Sequence, residues 1–314
     1  WFTINWNYFL QFFRSELICE YWADKCQLEV VKPILRVLCE TNINHDVSTK
    51  SYSDPFELPS TSGRAVNART IFDEARQEVV KAAEGHNVDK IDKFFEQVVN
   101  VIVRLSDGVI RSSETGHTGM VDLDIDFDAA IRRIKRRCML QQVKAEHGLE
   151  GLRIVNLLLE KQALEEKQVG DMAMLPPKLA RTRLYKLLAD GYLVLEEAPK
   201  KADMHPSFTL FLFRVNEEMM ERVVAASALK ALLNLRIRHR SCKDDQAKYE
   251  EVREEVQKFE QGAITALELK KVQGVRPYLK LSHYVELLDK AILDVDTTVL
   301  LLTGIPEQEQ VEEV

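Results

Sequence analysis

The chain has no Cys-x-x-Cys pair; its five cysteines stand apart at positions 19, 26, 39, 138 and 242. An odd number of scattered thiols, in a chain long enough for two or three small domains, argues against a disulfide framework and structural zinc and fits free thiols in a reducing compartment. Long apolar runs are missing too: stretches such as YLVL and VLLL fall far short of the roughly 20 residues a membrane span needs. The aromatic opening carries Asn5, Asn7, Arg14 and Glu16, which excludes a signal peptide. Nor is there a surplus of positive charge. Forty-three basic residues against fifty acidic ones leave −7, which excludes coating nucleic acid by bulk charge and leaves only local basic patches. No nucleophile motif, phosphate-cradling glycine loop or metal-spaced histidine pair occurs, and the seven histidines are scattered, mostly in loops. The chain therefore reads as soluble, intracellular and non-enzymatic, with no cofactor and no metal. No Met opens it, and WFTINW alternates like a strand whose partners lie upstream, so the expectation is the C-terminal part of something longer.

What is present is mostly helical period. Residues 9 to about 41 carry Phe9, Phe12, Phe13, Leu17, Ile18 and Tyr21, then Val30, Val31, Ile34, Leu35 and Leu38 at helical spacing, with Pro33 expected in a first turn. Residues 42–64 are rich in Ser, Thr, Asn and Pro without a period and read as a long loop. Helical spacing returns over 67–83 and 87–105. A short strand at 109–111, a polar tip and a returning strand follow, which is the order of a winged helix.

The stretch MVDLDIDFDAA places Asp at 122, 124, 126 and 128. A D-x-D-x-D calcium loop needs Gly at its sixth position and Glu at its twelfth; Phe127 and Arg133, or Ala129 and Lys135, stand there instead. The alternation reads as a strand with Val121, Leu123, Ile125 and Phe127 inward and the aspartates in water. Asp126 or Asp128 caps the helix that follows, and Gly148 ends it.

The pattern then repeats more cleanly. LEGLRIVNLLLEK, LEEKQVGDMAM and PPKLARTRLYKLLADG read as three helices, the last with Pro at its start and Gly at its end. A hairpin with a polar tip follows, completing a winged helix. Beyond Asn216, Tyr249, Val252, Val256, Phe259 and Ala263 form one seam, and Val285, Leu288, Ile292, Val295, Val299 and Leu302 another, joined by a Gly/Pro break. The seams predict an antiparallel hairpin. The fold class is thus mainly α with small β wings: tandem winged-helix domains followed by a C-terminal antiparallel helical hairpin.

On the third helix of the cleaner domain, Ala180, Leu184, Leu187 and Leu188 form the buried stripe, which turns Lys178, Arg181, Thr182 and Tyr185 outward with Arg183 and Lys186 on the flanks. On such a helix these residues can reach phosphates and base edges, and many winged domains use the same surface for protein contacts. Arg132, Arg133, Lys135, Arg136 and Arg137, and the run Arg236, Arg238, His239, Arg240, are open to the same two readings or to a solvated face. Tyr249, Val252, Val256, Phe259, Val285, Leu288, Ile292 and Val295 are the candidates for protein interfaces.

FLQFFRSELI, GMVDLDIDFDAAI, the block EKQVGDMAMLPPKLARTRLYKLLADGYLVLEEAPK, HPSFTLFLFRVN and DVDTTVLLL together resemble the family of the third-largest subunit of RNA polymerase III. The likeness covers nearly all of the chain, is weakest over 40–90 and is most specific over 165–216. It implies that residues 1–8 end a preceding winged domain, 9–128 form a winged domain, 129–216 another with a basic lead-in helix, and 217–303 a coiled-coil hairpin; 304–314 read from their composition as an acidic tail. It further implies a nuclear, non-catalytic subunit acting in promoter-dependent initiation. The implied contacts are the clamp of the largest subunit, two heterotrimer partners, transcription factor IIIB, and promoter DNA bound weakly and without sequence preference while the duplex opens; no membrane is among them. A winged-helix scaffold of a cullin or lid-type assembly and a free-standing regulator are the competing readings; salt-dependent binding to duplex DNA separates them.

Overall fold

The computed structural model describes residues 6–49, 65–82, 88–115, 120–199, 209–262, 265 and 272–303. The chain divides into two units, Trp1–Arg136 and Arg137–Val314.

In the first unit, α1 (Trp6–Cys26) and α2 (Val31–Thr49) are followed by β1 (Val66–Asn67), α3 (Ala68–Ala82), α4 (Val88–Leu105), β2 (Ile110–Thr115) and β3 (Met120–Ile125). Helix α5 (Phe127–Lys161) begins here and continues into the second unit. The periodic residues close the core: Ile18, Trp22, Ile34, Leu35 and Leu38 are almost wholly buried, as are Cys19 and Cys39. Each such aliphatic or aromatic side chain contributes about 1.5–3 kcal/mol of burial. Pro33 falls in the first turn of α2, where its missing N–H costs nothing. Glu16 of α1 lies 2.9 Å from Lys32 and 3.4 Å from Arg36 of α2. Burial alone would raise the Glu16 carboxyl, but the two cations hold it below its usual range.

Two expectations change here. Trp6–Tyr8 belong to α1 and not to a strand, while residues 1–5 lie outside the described residues. The expected loop starts later, because α2 runs on to Thr49; residues 50–64 lie outside the described residues. NINHDVST lacks an apolar stripe, but a helix already nucleated by Ile34 to Cys39 propagates through residues of middling propensity.

The sheet order is β1-β3-β2, all antiparallel, with Leu123 opposite Val66 on one side and Ser112 on the other. Leu123, Ile125 and Phe127 are buried as the alternation requires. The aspartates are not simply in water. Asp122 accepts a 3.0 Å hydrogen bond from Asn67, and Asp124 has a buried Oδ1 with no partner. The short β1, invisible to any period, covers that edge. Asp126 accepts from the Ala129 N–H at 2.9 Å and so caps α5.

In the second unit, α5 is broken at Gly148, whose φ of 72° takes the left-handed region where glycine has no Cβ penalty. Then come β4 (Ala163–Glu165), α6 (Glu166–Met172), α7 (Pro177–Ala189), β5 (Leu193–Pro199), β6 (Thr209–Val215), α8 (Glu217–Ala247), α9 (Glu250–Glu260) and α10 (Val275–Thr303). The sheet order is β4-β6-β5. Met139, Val143, Ile154, Val155 and Leu158 of α5 share a core with Val169, Leu184, Leu187, Tyr192 and Phe213. Met220 and Val224 of α8 and Leu302 of α10 join the same core.

The hairpin is built differently from the two seams read in the sequence. Its long arms are α8 and α10: Arg236 lies 2.9 Å from Asp296, and His239 Nε2 2.8 Å from Asp289. Rising numbers on α8 meet falling numbers on α10, so the arms are antiparallel. Helix α9 caps the far end, where Val252, Val256, Val275 and Tyr278 form a small separate core.

Candidate nucleic-acid and protein interface

Helix α7 is fixed by its buried face. Ala180, Leu184 and Leu187 are almost fully buried and Leu188 half-buried, as the stripe predicts. Pro177 occupies the first position and Gly191, with a φ of 83°, follows the end. The opposite face is where the candidate contact residues sit. Lys178, Arg181, Thr182, Tyr185 and Lys186 are all exposed.

Their surroundings divide them. Arg181 Nε lies 2.7 Å from Glu166 of α6, and Arg183 Nε 2.7 Å from Glu150 of α5. Both carboxylates neutralise charge that the sequence left free. Thr182 donates to the Lys178 carbonyl at 2.9 Å. The Tyr185 ring stands edge-on to Phe213, centroids 5.8 Å apart, leaving half its surface open. Lys178 and Lys186 are exposed with no ion pair among the described residues, so they are the unneutralised cations of this face.

On α5, Arg132, Arg136 and Arg137 are exposed and Lys135 half-buried. Arg133 is held in place: it donates to the Asp107 carboxylate at 2.8 Å and to the Asp107 carbonyl at 2.8 Å. Lys25 of α1 reaches the same carboxylate at 3.2 Å. The hydrogen bond from Lys25 and then that from Arg133 keep the Asp107 carboxyl below its usual range. Arg133 thus ties α5 to the turn after α4, where Asp107 itself takes a φ of 49°.

The apolar seam residues lie mostly inside the hairpin. Val252, Val256, Val285 and Leu288 are buried, Tyr249, Ile292 and Val295 half-buried, and Phe259 is 39% exposed. Other apolar residues that the sequence reading passed over are exposed, among them Leu229, Leu233 and Ile237 on α8, Leu287 and Leu293 on α10, and Met172 and Met174 beside α7. For the three on α8 the signal was the four-residue step, which a helical period shows without saying which face is covered. Among the described residues no group of three or more His, Cys, Asp or Glu could hold a metal ion, and no helix is long and apolar enough to cross a membrane.

Helix, strand, two helices and a two-stranded wing, occurring once in each unit, define a tandem winged-helix protein, and the long hairpin is its appendage. The family model described as POLR3C, C-terminal winged-helix domain, matches residues 140–215. The chain is similar to the DNA-directed RNA polymerase III subunit RPC3 of Mus musculus, 27% identical over 235 residues, which is 74% of this chain and 39% of that one. The Homo sapiens subunit of the same name is 27% identical over 234 residues, with the same shares of the two chains. The Danio rerio subunit is 34% identical over 122 residues, covering 39% of this chain and 23% of its own. The chain therefore spans about two fifths or less of the length of these relatives.

Proposed function

We propose that this chain is part of a non-catalytic subunit of RNA polymerase III, working in the nucleus in promoter-dependent initiation. The carrying observation is the likeness to RPC3 over most of the chain, together with the winged domain at 140–215. The subunit docks on the polymerase clamp, holds two companion subunits and, with transcription factor IIIB, helps engage and open promoter DNA. Its exposed Lys178, Lys186 and Arg132 meet DNA phosphates, with Arg181, Thr182, Tyr185, Arg136 and Arg137 around them. Binding of this kind is weak and indifferent to sequence, because phosphate contacts position a protein without reading bases. The exposed Phe259 and the rims of Tyr249, Ile292 and Val295 serve assembly.

The test is affinity purification of the tagged chain from nuclear extract, followed by mass spectrometry. The expected result is co-purification of polymerase III subunits in stoichiometric yield. Recovery of the chain alone, or with cullin or lid-type subunits, would overturn the assignment.

A further inference from the structure

From Arg222 to Lys243, α8 carries six basic residues and no Asp or Glu, in a chain whose net charge is −7. Along its outward side Leu229, Leu233 and Ile237 recur every fourth residue and are 48%, 60% and 60% exposed. At 1.5 Å per residue they make an apolar ridge about 12 Å long. Lys230 and Arg240 are exposed on the same side of the helix, with no ion pair among the described residues. The inner side is already occupied: Met220, Val224 and Leu232 are buried, and Arg236 is paired with Asp296 of α10.

We propose that the outward face of α8 is a docking surface for an acidic amphipathic helix of another protein. Three apolar residues at steps of four match the apolar stripe of a partner helix, and the flanking cations match carboxylates beside that stripe. Charge decides among occupants. A second copy would set Lys230 and Arg240 against the same cations. Duplex DNA would satisfy the cations but leave the ridge in water. The surface rests on hairpin geometry and not on the polymerase reading, so either can fail without the other.

The test uses the full chain and a synthetic peptide of about three heptads, with Leu at the two seam positions and Glu beside them. A matched peptide with Lys in place of Glu is the control. The expected result is saturable, salt-sensitive binding of the acidic peptide alone, weakened about tenfold or more by Leu233→Asp, as for a central apolar contact. Circular dichroism confirms that the variant is folded; the double change Lys230→Glu and Arg240→Glu, which leaves the ridge intact, should transfer binding to the Lys peptide. No binding of the acidic peptide, binding indifferent to both sets of changes, Leu233-dependent dimerisation in sedimentation, or competition by duplex DNA would each overturn the proposal.

Discussion

His147 is the last residue before the break in α5, and its ring is buried with neither nitrogen hydrogen-bonded. Nε2 lies 3.4 Å from Asp190 and 4.0 Å from Glu146, and the ring stands edge-on to Tyr192. Tyr192 in turn donates to Glu146 at 2.5 Å. Burial lowers the imidazole below its ordinary value of 6.5; Asp190 and Glu146 oppose that, while Lys186 and Arg183 add to it. The unfolded chain therefore takes up the proton more readily, so stability is full above about 6.5 and falls as pH drops from there toward the folded value, by at most about 1.4 kcal/mol per pH unit. Thermal melts between about pH 7.5 and 5.5 should show this fall, and His147→Phe, which keeps the ring contact, should flatten it. At the same scale, Lys178→Glu should weaken crosslinking of the assembled polymerase to DNA several-fold. Arg181→Glu should do so as well, with the added effect of setting two carboxylates where Arg181 now meets Glu166. Unchanged crosslinking would leave α7 as surface only.

At the scale of elements, the break after His147 explains a second glycine. A Cβ on Gly151 would lie 2.4 Å from the His147 Cβ, so Gly151→Ala must push the two halves of α5 apart. The expected cost is about 1–3 kcal/mol, as for overpacking in a filled core, and denaturant unfolding measures it. What was legible follows from the same local physics. Helix α7 declared itself through Pro177, Gly191 and a single apolar stripe, and β3 through strict alternation. Strands β1 and β4, of two and three residues, are too short to show any period. Helix α8 was missed as an arm of the hairpin because apolar residues lie on both its sides. Met220, Val224 and Leu232 face inward while Leu229, Leu233 and Ile237 face outward, so no single stripe stood out. The basic residues of α7 were readable, but Glu150 and Glu166 as their partners were not, being 33 and 15 residues from Arg183 and Arg181.

At the scale of the whole molecule, each unit buries a core of its own, and the second adds an antiparallel helical arm to its winged fold. On the proposed reading such an arrangement supplies surfaces: basic helix faces for phosphates, and an apolar and basic arm for another chain. The fold alone does not assign the polymerase, since winged helices serve many ends; the likeness to RPC3 carries that step. Crosslinking and mass spectrometry on native RNA polymerase III containing this chain tests it most directly. The account predicts links from lysines of this chain to neighbouring polymerase subunits or initiation factors. A complex that assembles without the chain, or one in which those lysines link only within the chain itself, would contradict it.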